Sequence, residues 1–109
     1  MQKFTTPADM DWIELGGGSR RKIRSYNEDI MLVEVGFDEG GVGKDHSHPH
    51  AQISYILSGE FEYHVEGTSY IMKPGDSVVV DGGKVHGLTC IKAGTLLDIF
   101  TPMREDFLK

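Results

Sequence analysis

Turn signals built on glycine break this chain into short β-forming runs, and none of those runs is long enough for a helical core. The signals are Gly16-Gly17-Gly18, Gly40-Gly41, Ser58-Gly59, Glu66-Gly67, Pro74-Gly75-Asp76, Asp81-Gly82-Gly83 and Ala93-Gly94. Between them lie nine predicted strands: Arg21–Ser25, Ile30–Phe37, Asp45–His48, Gln52–Leu57, Glu60–Val65, Ser69–Met72, Ser77–Val80, Val85–Ile91 and Thr95–Phe100. Many short strands at regular spacing predict an all-β sandwich or barrel.

Alternation favours strands over helices. Phe61, Tyr63 and Val65 alternate with Glu62, His64 and Glu66, the period of a half-buried strand. Only Met1–Ile13 and Arg104–Lys109 leave room for a helix. A chain of 109 residues is one domain, spanning 1–109, and buries one modest core. Apolar residues on both parities of Ile30–Val35 predict a strand covered on both sides. Together with exposed sheet edges, this predicts a homodimer.

The net charge is −6, which repels phosphate backbones and excludes nucleic acid as a natural partner. The one basic cluster, Arg20-Arg21-Lys22, is either a solvated strand end or a help in holding an anionic ligand. Cys90 is the single cysteine, so no internal disulfide forms, which suits a reducing compartment. Met1 to Trp12 holds no signal-like apolar run, and no stretch approaches the ~20 apolar residues that span a bilayer. The expectation is a cytoplasmic chain with no membrane partner.

The histidines carry the chemistry. His46 and His48 lie two apart, so on a strand they share a face, and both imidazoles can reach one ion at ~2.0–2.1 Å. Gln52 has the same parity but sits too far along a straight strand. Pro49 supplies a break that would return Gln52 from the neighbouring strand. His86 arrives from far downstream, after the Asp81-Gly82-Gly83 turn. His64 shares a face with Glu62 and Glu66 and is expected in solvent. His50, in the turn, is expected near the pocket rim, and Cys90 as a small buried hydrophobe.

The intervening spacings matter more than the pair. Gly40, His46, His48, Gln52 and Gly59 are separated by five, one, three and six residues; Gly75, Asp81, Gly83 and His86 by five, one and two. With these two motifs the chain resembles the cupin superfamily. The resemblance implies a small double-stranded β-helix (jelly-roll) barrel, with its metal-binding core at about residues 30–100. It also implies one divalent metal held by His46, His48, Gln52 and His86; nickel, zinc, iron, cobalt and manganese all suit such a set. The sequence departs from the usual motifs at Gln52 for glutamate, Asp81 for proline and Cys90 for asparagine. With a neutral amide and neutral imidazoles, the ion would keep its full +2 charge and act as a Lewis acid.

Asp98 and Phe100 share a face of the last predicted strand, with Leu97 and Ile99 on the other. An inward aspartate there is either a hydrogen-bonded structural carboxylate or a functional group. Arg104, beyond Pro102, is either an ion-pair partner of Glu105 or Asp106 or a two-pronged clamp for a substrate carboxylate. The run from Asp98 to Leu108, with Trp12, Arg21-Lys22-Ile23 and His48-Pro49-His50-Ala51-Gln52, resembles the pectin-degradation cupins that open 4,5-unsaturated uronate rings. That resemblance implies a small anionic sugar-acid substrate and functional roles for Asp98, Phe100 and Arg104: Asp98 and Arg104 in catalysis, Phe100 and Arg104 in substrate binding. Other metal-dependent cupin activities (a dioxygenase or a sugar isomerase) and a non-catalytic sugar-binding cupin are the competing expectations.

Overall fold

The computed structural model describes residues 4–109. It contains eight strands: β1 (Ile13–Gly16), β2 (Ser19–Tyr26), β3 (Met31–Phe37), β4 (Val42–His46), β5 (Ala51–Val65), β6 (Thr68–Met72), β7 (Ser77–Val80) and β8 (His86–Thr101). Single 3-10 turns at Pro7–Asp9 and Glu105–Leu108 stand at either end. They occupy the two stretches with helical potential, and the part of the first at residues 1–3 lies outside the described residues.

Two long strands, β5 and β8, organise everything else. They run antiparallel and bend together. The first half of β5 pairs with β7 and with the second half of β8, and that half of β8 pairs on its other edge with β3. The second half of β5 pairs with β6 and with the first half of β8, whose other edge takes β4. β2 and β1 extend the sheet beyond β3. The outcome is two antiparallel sheets folded over one interior, the predicted jelly roll.

Ser58-Gly59 and Ala93-Gly94 were expected as turns between separate strands, but they are bends inside β5 and β8. The cause is close backbone contact. Gly59 has φ +83°, and a Cβ there would lie 2.7 Å from the Cα of Gly94. A Cβ on Gly94 would run into the Ser58 carbonyl oxygen. The pairing register slips by one residue across this point, from Ile56 opposite Leu96 to Phe61 opposite Cys90. A one-residue slip exchanges the faces of a strand. Gln52, Ser54 and Ile56 therefore point inward before the bend, and Phe61 and Tyr63 after it. β1 falls in a stretch with no strand prediction, because its exposed, glycine-ended sequence carries no alternation signal.

The core joins Phe37, Ile56, Phe61, Tyr63, Met72, Val80, Leu88, Cys90 and Leu96, with a second cluster of Met31, Val33 and Phe100. Cys90 is 1% exposed and behaves as the small hydrophobe expected. The register sets interior rows across the larger sheet. One runs Met31, Phe100, Gln52, Val80; the next runs Ile23, Val33, Asp98, Ser54, Val78. On the outer face the matching row is Leu32, Ile99, Ile53 and Val79, with Leu97 and Tyr55 beside it. Of these, Ile53, Tyr55 and Val79 are exposed.

Candidate metal centre and cavity

The barrel holds a cavity of about 700 Å³ that opens to solvent. Its polar wall is built where β4, β5 and β8 meet. His46 ends β4 and sits directly across from His86, the first residue of β8. His48 was expected on the same strand face as His46, but β4 ends at His46 and His48 stands in the following loop. Pro49 and a Gly83 N–H donated to the His48 carbonyl shape that loop. Gln52 returns from β5, as the break at Pro49 predicted. One ring nitrogen each from His46, His48 and His86 lies within 4.8 Å of the others.

The donor set suits a cation. Each imidazole donates Nδ1–H to a backbone carbonyl: His46 to Lys44 at 2.8 Å, His48 to His50 at 3.0 Å and His86 to Lys84 at 2.9 Å. This fixes the tautomer and leaves Nε2 as a lone pair. The Gln52 amide N–H₂ reaches Ser54 Oγ at 3.2 Å, Asp98 Oδ1 at 3.3 Å and Tyr63 Oη at 3.4 Å. The carbonyl oxygen must therefore point the other way. It lies 2.8 Å from His48 Nε2 and 3.1 Å from His86 Nε2. Acceptors facing acceptors at these distances repel unless a positive charge lies between them. Burial lowers the pKa of both His48 and His86, with the nearby positive charge of Arg104 adding to it, so both favour the neutral, ligating form.

Asp98 stands behind Gln52 in the next interior row. Ser54 donates to its Oδ1 at 2.5 Å, and Tyr63 is 3.0 Å from Ser54 Oγ. Oδ2 has no partner among the described residues, and Asp98 lines the cavity. The carboxyl is half-buried by its own surface but sunk deep in the barrel. Burial pushes its pKa up to about 6, although the Ser54 hydrogen bond and the Arg104 charge pull down. Burial also raises the Tyr63 phenol, which stays a neutral hydrogen-bond donor.

Arg104 is buried, over the Phe100 ring at 5.0 Å and the Phe107 ring at 4.3 Å. The ion-pair expectation holds, with Asp106 as the partner. Its Nε and Nη2 form a forked pair with Asp106 at 3.0 and 2.8 Å, and it also lines the cavity. The basic cluster divides by strand alternation. Arg20 pairs outward with Glu14 and Asp38, and Lys22 donates to the Pro7 carbonyl beside the Trp12 ring. Only Arg21 points inward, its guanidinium 3.8 Å from the centre of the Phe107 ring.

Ser54, Tyr63 and Phe107 were not singled out as site residues from sequence. Ser54 could have been found by parity, two residues beyond Gln52 on one strand face. His64 is partly covered and paired with Asp45 rather than free in solvent. His50 is half-buried beside the site, its carbonyl anchoring His48.

A jelly-roll barrel with inward histidines, a glutamine and a lined cavity defines the cupin class, and the chain belongs to the cupin family: the cupin domain model matches residues 33–100. Within that family it is similar to a pectin degradation protein. It is 38% identical to the pectin degradation protein KdgF of Dickeya dadantii (strain 3937) over 110 residues, 99% of this chain and 100% of that one. The solved structure of KdgF from Halomonas sp. matches with a TM-score of 0.93 at 35% identity, covering 98% of this chain and 99% of that one. An RmlC-like cupin from Shewanella frigidimarina NCIMB 400 matches with a TM-score of 0.95 at 36% identity, covering 98% and 96%.

Proposed function

We propose that this chain is a metal-dependent isomerase that opens 4,5-unsaturated monouronates, from pectin or alginate breakdown, to the linear 5-keto-4-deoxyuronate. The observation that carries the reading is Asp98, a carboxyl with a pKa raised to about 6, in one cavity with His46, His86 and Gln52. The cavity wall holds Arg21, Lys44 and Arg104 against the single carboxylate of Asp98. That is a cationic pocket inside a chain of net charge −6, and it suits a small anion. The full-length likeness to the KdgF proteins supports the same substrate class.

The reaction needs no redox partner. The anomeric hydroxyl loses a proton, C1 becomes a carbonyl, and the C1–ring oxygen bond breaks. Its electrons leave an enolate at C5, and protonation at C4 gives the C5 ketone. A group titrating near neutrality can accept the first proton and return it at C4. Asp98 fits that task, with Oδ1 pinned by Ser54 and Gln52 and Oδ2 left to the cavity. Arg104 supplies positive charge beside the forming enolate, and Phe100 supplies a flat apolar wall. Bound at His46, His48, Gln52 and His86, a divalent cation would supply Lewis-acid stabilisation of substrate oxygens. The test is an ultraviolet assay with purified metal-loaded protein and unsaturated galacturonate or its alginate-derived counterpart. Steady loss of the unsaturated chromophore is expected. Saturable binding of uronates without turnover would leave a sugar-binding cupin instead.

The outer apolar row of Leu32, Ile99, Ile53 and Val79 is the face that a second copy is predicted to cover. Light scattering should give twice the chain mass, and Ile53→Glu with Val79→Glu should return the monomer. A monomer across working concentrations for the parent chain would count against this interface.

A further inference from the structure

We propose that Arg21 is the anchor for the substrate's carboxylate, a specificity role that separates uronates from neutral sugars. This rests on the uronate reading above.

Three observations place it there. Strand alternation sends Arg21 alone of the basic cluster to the interior, where it lines the cavity. Its guanidinium forms no hydrogen bond or ion pair with any described residue, and its Nε is buried without a partner. It lies over the Phe107 ring, a contact that holds the guanidinium in place without satisfying any donor. Arg21 is half-buried, yet its Nε is fully covered and has no acceptor; a guanidinium left facing a cavity in this state is retained where something binds it. Arg104 differs. Two of its nitrogens are already committed to Asp106, so it cannot present the same free fork. Phe107 carries both guanidinium groups, at 3.8 and 4.3 Å, and therefore sets their spacing. Burial and the neighbouring Arg104 charge work against the charged form of Arg21, more than the Asp106 charge works for it, and a bound carboxylate would add a direct counter-charge. A planar fork matches a carboxylate bidentately, which a lysine ammonium does not.

The experiment compares Arg21→Gln, Arg21→Lys and the outward control Arg20→Gln. With unsaturated galacturonate, Arg21→Gln should raise KM at least about tenfold, with a much smaller change in kcat. That factor corresponds to about 1.4 kcal/mol. Arg21→Lys should recover part of the loss, and Arg20→Gln should match the parent. Because Arg21→Gln removes a half-buried charge that makes no hydrogen bond or ion pair and lies beside Arg104, it should melt no lower than the parent, whereas a structural arginine would lower the melting point. Calorimetry separates this proposal from the uronate-opening reading: galacturonate should bind the parent, galactose should not, and Arg21→Gln should lose the distinction. That pattern without parental turnover would keep the carboxylate anchor and discard the ring-opening reading. Parent-like KM and parent-like galacturonate binding in Arg21→Gln would overturn the proposal, as would a parent that binds galacturonate and galactose alike.

Discussion

Asp98→Asn is expected to slow loss of the unsaturated chromophore by about 10²–10⁴-fold, the usual contribution of a positioned acid–base group, while bound metal stays unchanged. Asparagine keeps an oxygen for the Ser54 and Gln52 donors, so the wall should keep its shape. It cannot exchange a proton. The stability sign separates this role from a structural one. Asp98 has a folded pKa raised from 3.8 to about 6, so the native state binds more protons than the unfolded chain between those values. Its contribution to stability is present in full below about 3.8 and is lost as pH rises through about 6. At neutral pH the buried carboxylate therefore weighs against folding. Metal-free Asp98→Asn should melt at or above the parent. A structural carboxylate predicts the reverse: a lower melting point, with near-normal turnover per folded, metal-loaded chain. Arg104→Ala should also lose activity, part of it as weaker substrate binding. Near-parental turnover in both variants would remove Asp98 and Arg104 from the chemistry.

His48→Ala and His86→Ala should each lose most of the bound metal, measured by elemental analysis after dialysis. Even partners that only orient a metal ligand typically cost 10–100-fold in affinity, so deleting a ligand sets a larger expectation. The two histidines flank the same Gln52 oxygen at 2.8 and 3.1 Å, so either loss opens one side of the donor set. A second readout needs no substrate. A ligand that binds only the folded state raises the melting point with its concentration. Added nickel, zinc, cobalt or manganese should raise the parent's melting point and shift the variants' much less. Full metal retention in both variants would sink the ligand assignment.

His46, His48, Gln52 and His86 were legible because fixed intervals between glycines and histidines are properties of the chain itself. The structure brings those four together, although His48 does so from a loop rather than a strand. Asp98 and Phe100 were legible by parity, since an acid among inward positions stands out. The N-terminal strand was not, because Ile13–Gly16 lies at an exposed edge with no buried face to impose alternation. The continuity of β5 and β8 was hidden as well. A glycine pair that ends one strand and a glycine pair that lets two strands bend around each other look alike until the partner backbone is known. Arg21 was visible as one of three basic residues and as part of the Arg21-Lys22-Ile23 run, but not as an inward side chain. Its isolation from Arg20 and Lys22 depends on the register with β3, which no local pattern contains.

β8 pairs with β3, β4 and β5, yet it follows all seven other strands along the chain. A ribosome therefore releases the central strand only after every strand that must dock on it. Until then β3 and β4 have no common neighbour, and the nascent polypeptide holds His46, His48 and Gln52 without His86, Asp98 or Phe100. Closure must wait for long loops to be bridged, which is slow relative to local pairing. His86, Asp98 and Phe100 all come with this last strand, so the cavity wall they share with His46, Gln52 and Tyr63 cannot be complete before β8 docks.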